Sequence, residues 1–213
     1  MKRDSAKSLL VEEFDRQLAT LLRLGYARFT RRSQTALSES LRPLRARVEK
    51  LPPAAAEADV PFVIAFEPRL APPEKCMALV EDGGRPGVVD MNPTHPNDFA
   101  AIDEASPPTG AGYLVYGIEA GRDLLNVTPD DALPVILARG RSPLTIQEGI
   151  AVLTHVPNLL RASNAYSLLG SRRGDKRVPA LWLSKGRPRL GWCWAGNPHT
   201  WLGSASCAGR VGA

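Results

Sequence analysis

The segment PALWLSKGRPRLGWCWA, residues 179–195, carries the pattern of a β-hairpin. Apolar residues alternate with small or polar ones on both sides of a glycine, as in strands that bury one face. A turn centred on Gly186-Arg187 pairs Ser184 with Arg189, Trp182 with Gly191 and Leu181 with Trp192. Alternation then gathers Leu181, Leu183, Leu190, Trp192 and Trp194 on one face. Ala180, Trp182, Ser184, Arg189, Gly191 and Cys193 fall on the other. The first face reads as core, so Trp192 and Trp194 are expected to be core tryptophans.

A hairpin needs further strands and covering helices, and the chain upstream supplies signals for both. Thr128-Pro129-Asp130-Asp131 offers a hydroxyl cap, a proline at the first helical position and acids for the unpaired N–H groups. Thr145-Ile146-Gln147-Glu148 is a capping box opening a helix that carries Ile150, Val152 and Leu153. Pro157 ends that helix, and Asn158–Leu169 reads as another helix or helical turn. PFVIAFE (61–67), GVVDM (87–91) and YLVYGIE (113–119) read as short strands, with a short helix around Pro73–Leu79. Leu10, Phe14, Leu18, Leu21 and Leu22 form one helical stripe, with Gly25 as its C-cap. A second helix is expected from about Ser40 to Leu51, because Pro43 is tolerated only in a first turn. LPPAAAEADVP (51–61) reads as a linker. The expectation is an α+β fold: a helical segment over 1–51, then a main unit over 60–213 with helices on a mixed or antiparallel sheet.

The formal net charge of +5 conceals a segregation. Residues 1–50 hold 12 basic and 6 acidic side chains, 51–138 hold 4 and 14, and 139–213 hold 11 and 2. Opposite fields within one unit attract, so neutralisation across the fold is the leading reading, ahead of an anionic partner for the basic end. No apolar run approaches the roughly 20 residues of a membrane span, and MKRDSAKSLLVEEFDRQ meets charge too early for a signal peptide. A cytoplasmic location is expected, with no membrane partner. Three widely spaced cysteines suit free thiols in a reducing compartment.

FDRQLATLLRLGY, LNVTPDDALPVILARGRSPLTIQEGIAVLTH, SLLGSRRGDKRVPALWLSKG and LGWCWAGNPHTWLGSAS together resemble a family of uncharacterised actinobacterial proteins catalogued as a domain of unknown function. The resemblance implies an actinobacterial cytosolic protein. It implies no activity, ligand, cofactor or catalytic residue.

Candidate chemistry concentrates near the C-terminus. The loop holding Arg172, Arg173, Lys176 and Arg177 among glycines offers guanidinium forks that match phosphate or carboxylate, or is simply a soluble hairpin entry. GNPHTWLGS (196–204) combines a turn with Asn197, whose amide can orient a ligand. Histidine is a side-chain type suited to acid/base work near neutral pH, which makes His199 a candidate, and Trp201 can stack on a ring. The alternative is a structural corner in which Asn197 and His199 hold the turn by hydrogen bonds and Trp201 plugs the core. Cys193, His199 and Cys207 match no compact zinc spacing, so no metal is assigned. Cys193 with His199 and Asn197 has the residue types of a cysteine nucleophile, but sits in a strand. His95 reads as an exposed loop histidine, and no phosphate loop or dinucleotide fingerprint is present.

The expectation is binding of a small anionic ligand, a nucleotide or phosphate-like molecule, through Arg172, Arg173, Lys176, Asn197 and Trp201. The alternatives are a small enzyme using His199 as acid/base, and a nucleic-acid or protein-partner module. Nucleic acid is disfavoured by the acidic middle segment. The cofactor and the oligomeric state stay open.

Overall fold

The computed structural model describes residues 2–52, 55, 57–161 and 163–213. In chain order come α1 (Lys2–Arg23), α2 (Tyr26–Phe29), α3 (Gln34–Val48), β1 (Val60–Ala65), α4 (Pro73–Met77), β2 (Glu81–Asp82), β3 (Arg85–Pro86) and β4 (Val88–Val89). Then follow β5 (Ala100–Ala101), β6 (Tyr113–Ile118), α5 (Pro129–Ala138), β7 (Ser142–Pro143), α6 (Ile146–His155) and β8 (Ala165–Ser167). The chain closes with β9 (Ser171–Arg172), β10 (Arg177–Ser184), β11 (Arg187–Trp194), β12 (Leu202–Ser204), β13 (Ser206–Cys207) and β14 (Gly209–Gly212). This is an α+β fold, with antiparallel and mixed sheets and two long N-terminal helices.

The β10–β11 hairpin is the middle of a five-stranded sheet of order β12-β8-β10-β11-β4. Its outer pairs, β12 with β8 and β4 with β11, are parallel. The expected register is wrong by two residues: Ser184 pairs with Arg187, Trp182 with Arg189 and Leu181 with Leu190. The turn is the two-residue Lys185-Gly186, with φ of 52° and 67°. Two positive φ values make a type I′ turn, whose twist matches that of the strands it joins. An even shift preserves sidedness, so the two faces keep their expected members.

Only part of the expected core face is core. Leu181 and Leu190 are fully buried, whereas Trp194 is 43% exposed and Trp192 half-buried. The α6 helix packs closely over Leu181, where a Cβ on Gly149 would come within 3.0 Å of Leu181 Cδ1. At the far end of the hairpin, Trp192 and Trp194 instead hold the Arg177 guanidinium, 4.7 and 5.0 Å from their rings. Trp192 Nε1 donates to Met91 O at 3.2 Å. Burial and cation–π contact compete here, and the open strand end favours the latter.

Every residue of α6 is buried. One side meets the hairpin, and the other meets the antiparallel sheet of order β1-β6-β14. The capping box is present, with Thr145 N donating to Glu148 Oε2 at 2.8 Å. Glu148 also receives Arg210 Nε at 2.5 Å and Nη2 at 2.8 Å, and Tyr113 Oη at 3.3 Å. Arg210 further donates to Ser142 Oγ at 2.6 Å and Pro143 O at 2.9 Å. A buried pair of this kind is tolerated because both partners are hydrogen-bonded around their periphery. It ties β14 to the start of α6.

The N-terminal helices cover the smaller sheet. Phe14 and Leu21 of α1, and Leu37, Leu41, Leu44 and Val48 of α3, are buried with Phe62, Ile64 and Leu114 in one cluster. β1 is an edge strand, and Gln17 closes that edge: its Nε2 donates to Phe62 O and its Oε1 accepts from Ile64 N, both at 2.9 Å. Gly25 ends α1 in the left-handed region at φ 81°, as expected. The start expected for the second helix is corrected, because α3 begins at Gln34 behind the Ser33 cap and keeps Pro43 inside. Pro43 is exposed, so water solvates the carbonyl it leaves unpaired. The helix expected over Asn158–Leu169 is also corrected: a 3-10 turn over Pro157–Leu159 leads into β8, which pairs with β10. The linker expected at 51–61 falls partly outside the described residues, at 53, 54 and 56. Among the described residues no helix is long and apolar enough to cross a membrane.

Candidate functional site

Beside the second face of the hairpin lies a cleft of about 250 Å³. Trp182 and Cys193 line it from the strands, Trp194 from the end of β11, and Asn197, His199 and Trp201 from the corner that follows. The Trp182 indole lies across Gly191, where any Cβ would collide with the ring. A glycine diagonal to the tryptophan, opposite Ala180, is thus what lets this indole lie flat on the sheet. Trp201 is 38% exposed, so it does not plug the core as the structural-corner reading required. Its ring packs against His199, with centroids 5.3 Å apart and planes at 49°.

The backbone, rather than side chains, holds this corner. Asn197 N donates to Trp194 O at 3.1 Å, closing the turn. Asn126 N donates to His199 O at 2.8 Å, and Ala165 N to Trp201 O at 3.0 Å. Asp130 N reaches Ala195 O at 3.0 Å, which docks the start of α5 against the same corner. Among the described residues, the Asn197 amide and the His199 imidazole make no side-chain hydrogen bond. Their polar atoms are left for the cleft.

Of the basic loop, Arg177 lies against the rings of Trp192 and Trp194 at the cleft, while the other cations are paired with acids. Arg172 and Lys176 face Asp130 at 3.7 and 3.2 Å, and Arg173 faces Asp98 at 3.7 Å and Asp175 at 3.2 Å. Arg177 pairs with Asp175 at 2.7 Å. Further ion pairs join Arg189 to Asp90 and Arg141 to Glu119. The acidic middle segment and the basic C-terminal one therefore neutralise each other across the fold, as attraction between segregated charges requires. Arg45 on α3 is likewise held by Asp15, with both contacts at 2.8 Å.

Cys193 shares the cleft with Asn197 and His199, but its chemistry is that of a packed thiol. Burial pushes its pKa up, against the opposing pull of the Ser167 hydroxyl, 3.7 Å from Sγ, and of the nearby Arg172 charge. A protonated thiol is a poor nucleophile. Cys207 lies with Arg210 and Glu148 at the start of α6, where burial pushes its thiol up to about 12. Among the described residues no group of three or more His, Cys, Asp or Glu is placed to hold a metal ion. His95 caps the 3-10 turn over Pro96–Asp98, and its Nε2 lies 2.7 Å from Glu74 Oε1.

A second hollow, of about 190 Å³, opens at the start of α6 between Tyr113, Thr145, Gln147 and Ser171, under a rim of prolines. Sequence reading takes Glu148 as a helix cap and passes over Tyr113 and Arg210. The available signal was charge: Glu148 is one of only two acids in residues 139–213, so a buried cation partner was to be sought nearby.

The family described as "Family of unknown function (DUF5701)" matches residues 20–213. No curated protein and no solved structure matches the chain.

Proposed function

The chain belongs to DUF5701, a family of unknown function, and from its own geometry we propose that it binds a small molecule by a planar ring. The ring lies in the tryptophan cleft, and a nucleoside or nucleotide is the ligand class that fits best. One observation carries the reading: the corner is built by backbone hydrogen bonds, while Asn197, His199 and Trp201 present uncommitted side chains to a cleft. Large aromatic side chains left half-exposed around a hollow favour stacking of a flat partner. The Asn197 amide supplies one donor face and one acceptor, the complement of a base edge.

The anionic half of the ligand has weaker support, because Arg172, Arg173 and Lys176 are already paired with aspartates. Lys176 is the cation best able to turn to a phosphate: its side chain is 75% exposed and its carbonyl accepts from Ala195 N. An acid/base role for His199 has no comparable support, since no carboxylate is hydrogen-bonded to its imidazole among the described residues.

Titration of intrinsic tryptophan fluorescence with nucleosides and nucleotides tests this. Saturable quenching is expected, lost in Trp201→Ala and weakened about tenfold in Asn197→Ala, the worth of one hydrogen bond. Nucleotides binding more tightly than nucleosides, with the difference removed by Lys176→Ala, would support the anionic part. Quenching that survives Trp201→Ala unchanged would remove the cleft from the account.

A further inference from the structure

Four groups of cations stand out among the described residues, and in each of them at least one cation is paired with an acid of the chain. The loop around Arg173 is paired with aspartates. In the cluster at the hairpin turn, Arg85 donates to Lys185 O, Arg187 to Pro86 O and Arg189 to Asp90. On α3, Arg45 is held by Asp15. Arg28, Arg31, Arg69 and Lys75 surround a cleft of about 490 Å³ between the loop after α2 and the approach to α4. Of these, Arg69 is paired with Glu67 at 2.7 Å. Arg28, Arg31 and Lys75 have no acid partner among the described residues, and the Lys75 ammonium rests over the Phe29 ring at 5.9 Å.

We propose that this cleft is a binding site for a compact multivalent oxyanion, a di- or triphosphate group, separate from the tryptophan cleft. Like charges gathered around a concavity repel one another and focus a positive field into it. Arg28, Arg31 and Lys75, none paired with an acid among the described residues, present that field to an external anion.

The walls are preorganised. Tyr26 is buried and packs edge-on against Phe29, with centroids 5.6 Å apart. Thr30 Oγ1 donates to Ala27 O at 3.1 Å, and on the opposite rim Leu70 N and Ala71 N both donate to Glu67 O at 3.0 Å. Arg31, part of the lining, holds φ at 54°, a left-handed backbone that costs an arginine energy. The cations ring a hollow rather than follow a stripe, which favours a compact anion over a nucleic-acid backbone.

Isothermal titration at low salt with inorganic pyrophosphate and with tripolyphosphate tests this, with sulfate and a short single-stranded RNA as comparators. One-site binding is expected, stronger for the polyphosphates than for sulfate and weakened by added salt. Arg28→Ala combined with Arg31→Gly should weaken it by roughly tenfold to a hundredfold. The glycine accepts the left-handed backbone, so the double variant retains its fold, which circular dichroism checks. Arg187→Ala should change nothing. Absence of polyphosphate binding, equal losses in Arg187→Ala, or RNA binding through Arg28 and Arg31 without polyphosphate binding would each overturn the proposal. Because Trp201 is not part of this cleft, polyphosphate binding should persist in Trp201→Ala, and either site can fail without the other.

Discussion

Lowering the pH from 7 to 5 should destabilise this protein through one residue, His155. It closes α6, is 4% exposed, and lies against Glu13 and Arg16 of α1 and the backbone of Ile64. Burial, and then the Arg16 charge, pull its pKa from the ordinary 6.5 down to about 3, against the opposing Glu13 carboxylate. A protonated histidine would ordinarily suit a helix C-terminus, but Arg16 Nη2 already donates to the His155 carbonyl at 3.0 Å. The unfolded chain therefore takes up a proton below pH 6.5, while the folded chain does not until about pH 3. Stability is fully present above the unfolded value and falls through the window between the two. By linkage the loss from pH 7 to 5 is about 2 kcal/mol, or a melting-temperature drop of about 4–8 °C for a chain of this size. Urea denaturation at several pH values, for the wild type and His155→Gln, measures it. The glutamine variant should show a flatter dependence over pH 5–7, whatever its absolute stability. An unchanged slope, or a His155 imidazole resonance titrating near pH 6.5, would falsify the argument.

Two further substitutions probe the frame. Arg210→Met leaves Glu148 buried beneath Tyr113 without its cation, so a loss of about 3–5 kcal/mol is expected in denaturant unfolding. Adding Glu148→Leu should recover much of that loss, because the unpaired charge is then gone. Lys185→Asn places a residue that tolerates positive φ at the first position of the type I′ turn, and a gain of up to about 1 kcal/mol is expected by thermal melting. No gain would mean that the hairpin register is held by its flanking strands alone.

Alternation along 179–195 was enough to predict a hairpin and the sidedness of its residues, because both depend only on the two-residue period of a strand. The helix caps were legible for a similar reason: Thr128 and Thr145 each satisfy N–H groups within three residues. The register was not legible, since Lys185 gives no sign that it will adopt a left-handed backbone. Nor was Pro43 inside α3, whose tolerance depends on facing water.

Local pattern and charge thus determined the α+β class, the stripe of α1 and the mutual neutralisation of the acidic and basic segments. Only the tertiary structure decided which side chains are left over. Asn197, His199 and Trp201 are uncommitted because Asn126 and Ala165, distant in sequence, supply the hydrogen bonds that hold their corner. The arginines at 172 and 173 are occupied by Asp130 and Asp98, while Arg28 and Arg31 meet no such partner among the described residues. Spacing along a chain reports which residues can share a face. Whether a charge or a ring is satisfied depends on what the fold brings against it.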